Sequence, residues 1–120
     1  MKTFRDLKFG AHRGNPESYQ ALAVLAEEIK ISVVYGAGPR MGTTAKIGHG
    51  LYNDKGTYEV AVFDRGDMAT LSSGDDVLGW QTAKEVTKLM KQIQKDPEKF
   101  REKCEKRRVE RAEMWKDVLE

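Results

Sequence analysis

Two stretches of the chain collect residue types that could hold an anion. Residues 36–56, GAGPRMGTTAKIGHGLYNDKG, contain six glycines and one proline. Glycines let backbone amides come close to a ligand, and unpaired amides beside cations favour phosphate. Arg40, Thr43, Thr44, Lys46 and His49 stand in this segment, which makes it a candidate ligand loop. Neither nucleotide-enzyme fingerprint is met. In Gly36-Ala37-Gly38-Pro39-Arg40-Met41-Gly42 the third glycine comes one residue late for G-x-G-x-x-G, and Pro39 removes a donor. Lys46 does not follow a glycine, so a Walker loop is excluded. The plainer alternative is a solvated hairpin tip.

The second stretch runs from Lys103 to Arg111 and holds five cations in nine residues. Arg107 and Arg111 are four apart and share a helix face, with Arg108 one step round. Guanidinium groups fork onto phosphate oxygens bidentately, so these three are candidate ligand residues. Glu102, Glu105, Glu110 and Glu113 interleave with the cations. That interleaving argues against nucleic acid, where one sign dominates a face, and it equally describes a solvated helix. Trp80 and Trp115 could stack on a base, and could as well be core or interface anchors.

No catalytic constellation is visible. His12 and His49 are the only histidines and have no metal-ligand spacing around them. Ser32, Ser72 and Ser73 lie in no G-x-S-x-G elbow. Cys104 sits mid-helix among charges and reads as a small packing residue. Asp75-Asp76 could form an acid–base pair but reads more simply as a turn before a helix cap. The expectation is a binding protein without metal or cofactor.

These residues need elements to position them. MKTFRDLKFG (1–10) alternates as a short strand, and AHRGNPE (11–17) has loop composition. Residues 17–28 are ambiguous: Asn15, Pro16 and an Ala/Leu/Glu-rich run favour a helix by propensity, whereas a turn near Glu27-Glu28 would make a hairpin. ISVVYG and TYEVAVF (57–63) read as strands, Asp64–Asp67 as a turn, MATL (68–71) as a returning strand and SSGDDVLGW (72–80) as a loop. Thr82 and Glu85 form a T-x-x-E capping box, opening a helix that Asp96-Pro97 ends. A last helix then runs to about Leu119 with a thin apolar stripe of Phe100, Cys104, Ala112, Trp115, Val118 and Leu119.

At 120 residues and 13.6 kDa there is room for one domain. Residues 81–120 hold 12 Lys/Arg and 9 Asp/Glu, against 9 and 10 in residues 1–80. The net charge of +2 is too small to argue for nucleic acid by itself. No run reaches the roughly 18 apolar residues of a membrane span. No charged-then-apolar leader opens the chain, which argues for a cytosolic protein. The single cysteine excludes an internal disulfide.

The run ISVVYG … TYEVAVF … GDDVLGW-x₅-V-x₂-LM-x₂-IQ resembles a group of small phage-encoded proteins in which a small antiparallel sheet precedes D-D-V-x-G-aromatic and a helix. The matched residues are Ile31–Gly36, Tyr58–Phe63, Asp75–Trp80, Val86 and Leu89–Gln94. Here the hairpin turn is AEEI where the pattern usually has an Asn-Gly-like turn, and the glycine-rich loop has its own composition. The resemblance makes residues 17–28 a strand. A sheet followed by two helices, the second long and arginine-bearing, further resembles Thoeris anti-defence protein 1, a phage sponge for cyclic ADP-ribose isomers. The resemblance implies an α+β fold: an N-terminal antiparallel sheet of four to five strands, then two C-terminal helices. It implies a compact unit over 1–95 and a charged assembly helix over 96–120. The implied function is a homo-oligomeric counter-defence protein of the bacterial cytoplasm that sequesters a cyclic nucleotide signal uncleaved. The alternatives are an inhibitor of a host nuclease or CRISPR effector, and a nucleic-acid-binding accessory protein.

Overall fold

A computed structural model of the chain describes residues 1–12, 15–36 and 57–119. Six strands form one antiparallel sheet: β1 (Gly10–His12), β2 (Asn15–Ala26), β3 (Ile29–Gly36), β4 (Thr57–Asp64), β5 (Asp67–Met68) and β6 (Leu78–Thr82). Two helices follow, α1 (Ala83–Lys95) and α2 (Pro97–Leu119). The order is β1-β2-β3-β4, with β5 and β6 both paired to β4. β6 pairs along its first residues and β5 at its last two. The α+β architecture, sheet first and a long helix last, is the one the sequence implies.

β2 is a strand, not the helix its propensities favour. Ala21 lies opposite Val33 and Ala23 opposite Ile31, in register with Val60 and Val62 of β4. These residues face α1 and α2 and form the core with Leu25, Ile29, Leu71, Val86, Met90, Ile93, Phe100 and Cys104. Burying such side chains contributes roughly 1.5–3 kcal/mol each, which outweighs the few tenths per residue of helix propensity. Among the described residues the other sheet face carries no helix, and Leu22 and Val24 are exposed there.

Both hairpin turns use left-handed residues. Glu28 has φ 57° in the first, and Arg65 and Gly66 have φ 55° and 87° in the second. Two consecutive positive φ values are those of a type I′ turn, whose twist matches paired strands.

Four expectations need correction. Of residues 11–17, expected as a loop, 11–12 belong to β1 and 15–17 to β2, because Ala11 pairs with Tyr19 and His12 with Asn15 across the sheet edge. Residues 4–6 form one 3₁₀ turn instead of a strand, because the Thr3 amide donates to the Asp6 carboxylate at 2.8 Å. The Phe4 amide then donates to Thr87 Oγ1, and the Lys2 amide to Gln94 Oε1, tying this segment to α1. Of MATL only Met68 stays in the ladder; Ala69 and Leu71 turn into the core. Residues 78–80 are strand, not loop. Their pattern is broken by a bulge opposite Tyr58 and Val60, where Trp80 takes φ 53°.

The capping box is present. The Thr82 hydroxyl accepts from the Glu85 amide at 3.2 Å, and Glu85 Oε1 accepts from the Thr82 amide at 3.2 Å. α2 starts on Pro97, with Asp96 Oδ1 accepting from the Lys99 amide at 3.0 Å. No helix among the described residues is long and apolar enough to cross a membrane.

Candidate functional site

α2 lies over the core through Phe100 and Cys104, and a cleft opens on each side of it. The two clefts differ in charge. The one beside the β4–β5 hairpin, about 390 Å³, is lined by Arg65, Arg101 and Arg108 and by Asp64, Asp67 and Glu105. Its cations have partners. Arg101 Nε donates to Asp64 Oδ2 at 2.9 Å, and its Nη2 to the Glu27 carbonyl at 2.7 Å. Arg108 pairs with Glu105 at 2.6 Å and Arg65 with Glu28 at 3.6 Å. The hydrogen bonds that Arg101 donates to Asp64 and then to Glu98 raise its pKa above the ordinary value. Arg108 holds the Glu105 carboxyl below the usual range in the same way. Arg101 is thus a clamp joining α2 to both hairpin turns, and this cleft is balanced in sign.

The cleft on the α1 side is different. Its larger part, about 360 Å³, has a floor of Leu71, Leu78, Leu89 and Phe100 and a rim of Lys88, Lys103, Arg107, Gln81 and Gln92. A second part, about 270 Å³, shares Gln92, Phe100 and Lys103 and adds Lys95 and Lys99. Five cations therefore line one groove. Its two carboxylates, Glu85 and Asp96, are engaged in capping α1 and α2. Among the described residues, none of the five cations forms an ion pair with a carboxylate. Arg107 Nη1 donates to the Thr70 carbonyl at 3.3 Å and to Cys104 Sγ at 4.0 Å, both long. The groove is an apolar floor under a cationic, polar rim, which is the arrangement of a site for a small anionic molecule.

The candidate residues separate accordingly. Arg107 lies in the groove. Arg108 lies on the other side of α2, in a surface ion pair. Arg111 bonds Asp76 Oδ1 and the Ser72 carbonyl, each at 2.7 Å, and pins the 72–76 turn to α2. Asp76 is that arginine's partner within the turn. Trp80 is 59% exposed, and its neighbours Leu78 and Gln81 line the groove. Arg40, Thr43, Thr44, Lys46 and His49 lie outside the described residues. Tyr35 and Tyr58, just before and just after residues 37–56, pack edge to face at 5.6 Å within a cluster that includes Phe4, Phe9 and Tyr19. The buried Ser18 hydroxyl, opposite Gly36, has no hydrogen-bond partner among the described residues.

Lys88, Lys95, Lys99 and Lys103 were not singled out by sequence. Their signal is the spacing of Lys99, Lys103 and Arg107, four apart on α2, beside Lys88 and Lys95 on α1. Among the described residues no group of three His, Cys, Asp or Glu could hold a metal ion.

Burial pushes the Cys104 thiol up, and Arg107 offsets this only in part. A raised native pKa means that the stability from the protonated thiol is complete below the free-thiol value. It is lost as pH rises through the native value. Urea midpoints should therefore fall from pH 7 to pH 10 by more in the wild type than in C104A, and native Cys104 should react slowly with a disulfide reagent at pH 8.

Comparison with protein-family models, with curated proteins and with solved structures returns no match to this chain.

Proposed function

We propose that the chain is a non-catalytic binding protein for a phosphorylated small molecule, a nucleotide, held with its phosphates in the α1–α2 groove. The observation that carries this is the set of five cations facing one groove whose carboxylates are already committed to helix caps. Lys103 and Arg107 take the phosphates, Gln81 and Gln92 offer amides to polar ligand edges, and Leu89 and Phe100 supply an apolar bed. Within this reading the biological role is sequestration of a cyclic nucleotide signal in the host cytoplasm by a phage counter-defence protein.

A stoichiometric trap for a micromolar signal needs nanomolar affinity, about −12 kcal/mol. An open groove does not supply that alone, so a second subunit would close over it. Support for such an assembly comes from the end of α2. The face that buries Phe100 and Cys104 continues outward as Met114, Trp115 and Val118, all exposed. Exposed apolar rows of this kind mark interaction surfaces.

The test is an uptake assay. Purified protein is incubated with cyclic ADP-ribose isomers and cyclic di- and trinucleotides, the protein is removed, and free ligand is assayed before and after heating. The expected result is loss of one ligand class and its intact return on heating. Altered ligand would mean an enzyme. No loss of any ligand would favour an inhibitor that docks on a host protein through the end of α2.

A further inference from the structure

The cationic surface does not stop at the groove. Lys84, Lys88, Lys91 and Lys95 recur at intervals of four, three and four, so they share one face of α1. All four are exposed and, with Met1, border a shallow depression of about 780 Å³. The one carboxylate there is Glu85, engaged in the capping box. At a rise of 1.5 Å per residue the row is about 16 Å long. Lys88 and Lys95 belong to both the row and the groove, so the row and the groove form one continuous surface.

The acids of α2 that lie alongside the groove do not break this surface. At about 100° per residue Glu98, Glu102 and Glu105 fall on the outward side of α2, away from Phe100 and Cys104. Glu98 and Glu105 there bond Arg101 and Arg108. Lys99, Lys103 and Arg107 instead flank the buried stripe on the α1 side. Over residues 98–107 the acids and the groove cations therefore lie on different faces of α2; Glu110, one turn beyond Arg107, returns to the cationic side.

A row about 16 Å long exceeds what one nucleotide can touch. Phosphates of an extended single strand are spaced at roughly twice the 3.4 Å axial rise of a duplex strand, so the row matches about three of them. Trp80 stands four residues before Lys84, within about 13 Å by chain reach. Trp80 is 59% exposed, and its φ of 53° is one that a bulky residue rarely adopts. Cations in a row beside an exposed aromatic are the parts of a single-strand track, where phosphates meet lysines and a base stacks on the ring.

We infer that α1 and the adjoining groove form a track for single-stranded nucleic acid, with phosphates along Lys84, Lys88, Lys91 and Lys95 and a base on Trp80. This rests on the groove being a phosphate site and extends its ligand from a nucleotide to a strand.

The test is fluorescence anisotropy of the full chain with labelled oligothymidylates of 2, 4, 8 and 12 nucleotides and a 12-base-pair duplex, at 50 and 200 mM salt. Affinity should rise at least tenfold from 2 to 8 nucleotides and exceed that for the duplex. The K84Q/K91Q variant alters neither groove rim nor core. It should weaken the 8-mer about tenfold, lower the salt slope by about 1.4 and leave the dinucleotide unchanged. W80G, which suits the positive φ, should weaken the 8-mer severalfold without changing the slope. Equal affinity for 2 and 8 nucleotides, or an unaffected K84Q/K91Q variant, would overturn the track while leaving the nucleotide groove standing. Tighter binding of the duplex would also overturn it. Loss of dinucleotide binding in a Lys103/Arg107 variant reads out the groove independently.

Discussion

Reversing Lys103 and Arg107 together (K103E/R107E) should lower affinity for a phosphorylated ligand at least hundredfold while leaving the fold intact. Two unit charges about 4 Å apart interact by about 1 kcal/mol in water and about 4 kcal/mol near a protein surface. Exchanging attraction for repulsion at two positions therefore amounts to at least about 3 kcal/mol. Neither side chain is integral to the core. Lys103 is exposed, and Arg107 makes two long hydrogen bonds, to the Thr70 carbonyl and to Cys104 Sγ. Circular dichroism and melting should show a native-like variant, and calorimetric titration should show no binding. The control is R108E on the opposite side of α2, where the arginine already pairs with Glu105. Its ligand affinity should stay within about twofold of wild type. Equal losses in both variants would mean a diffuse charge effect with no defined groove.

The largest stability effect is expected at Ile31. It is fully buried in the central strand, between Ala23 and Val62, beneath the helices. Truncation there removes packing from β3 and both its neighbours, and a Leu- or Ile-to-Ala change in such a site costs about 2–5 kcal/mol. That is a large share of the 5–15 kcal/mol typical of a small domain. I31A should shift the urea midpoint strongly with little change in slope. L22A and V24A, on the helix-free face where these side chains are 63% and 50% exposed, should each cost below about 1 kcal/mol. Comparable losses on the two faces would contradict the assignment of the core.

The helices were legible in the sequence because their ends are chemically explicit. Thr82 with Glu85 opens α1, and Asp96-Pro97 separates it from α2. The strands ISVVYG and TYEVAVF were legible from alternation. β2 was not legible from its residues alone. Leu22 and Val24 make its exposed face as apolar as Ala21 and Ala23 make its buried one, so period two is blurred. Asn15-Pro16 also mimics a helix start. Pairing with β3 decides it, and pairing is a tertiary event. β6 was hidden because the bulge at Trp80 breaks its alternation. Of the two readings left open for residues 17–28, the hairpin with its turn near Glu27-Glu28 is the one the structure shows.

The groove was only half legible. Arg107 was found from the arginine cluster, but Arg108 and Arg111, read with it as one constellation, point to different partners. Four residues place Arg111 one turn further along α2, where the 72–76 turn offers Asp76 and the Ser72 carbonyl. The groove lysines look like ordinary solvated positions in one helix. They become a site only when Phe100 and Cys104 seat α2 against the core beside α1. The capping roles of Glu85 and Asp96 were readable in advance. Their consequence, a groove whose carboxylates are already occupied, requires both helices in place.

The most direct measurement is a two-dimensional ¹H–¹⁵N spectrum of the full chain titrated with inorganic pyrophosphate. A phosphate site between α1 and α2 predicts saturable shifts confined to amides near residues 81–92 and 99–107, with a midpoint that weakens as salt is raised. Shifts centred on residues 64–70 beside Arg101 and Arg108, or small changes spread over every lysine-bearing surface, would contradict it.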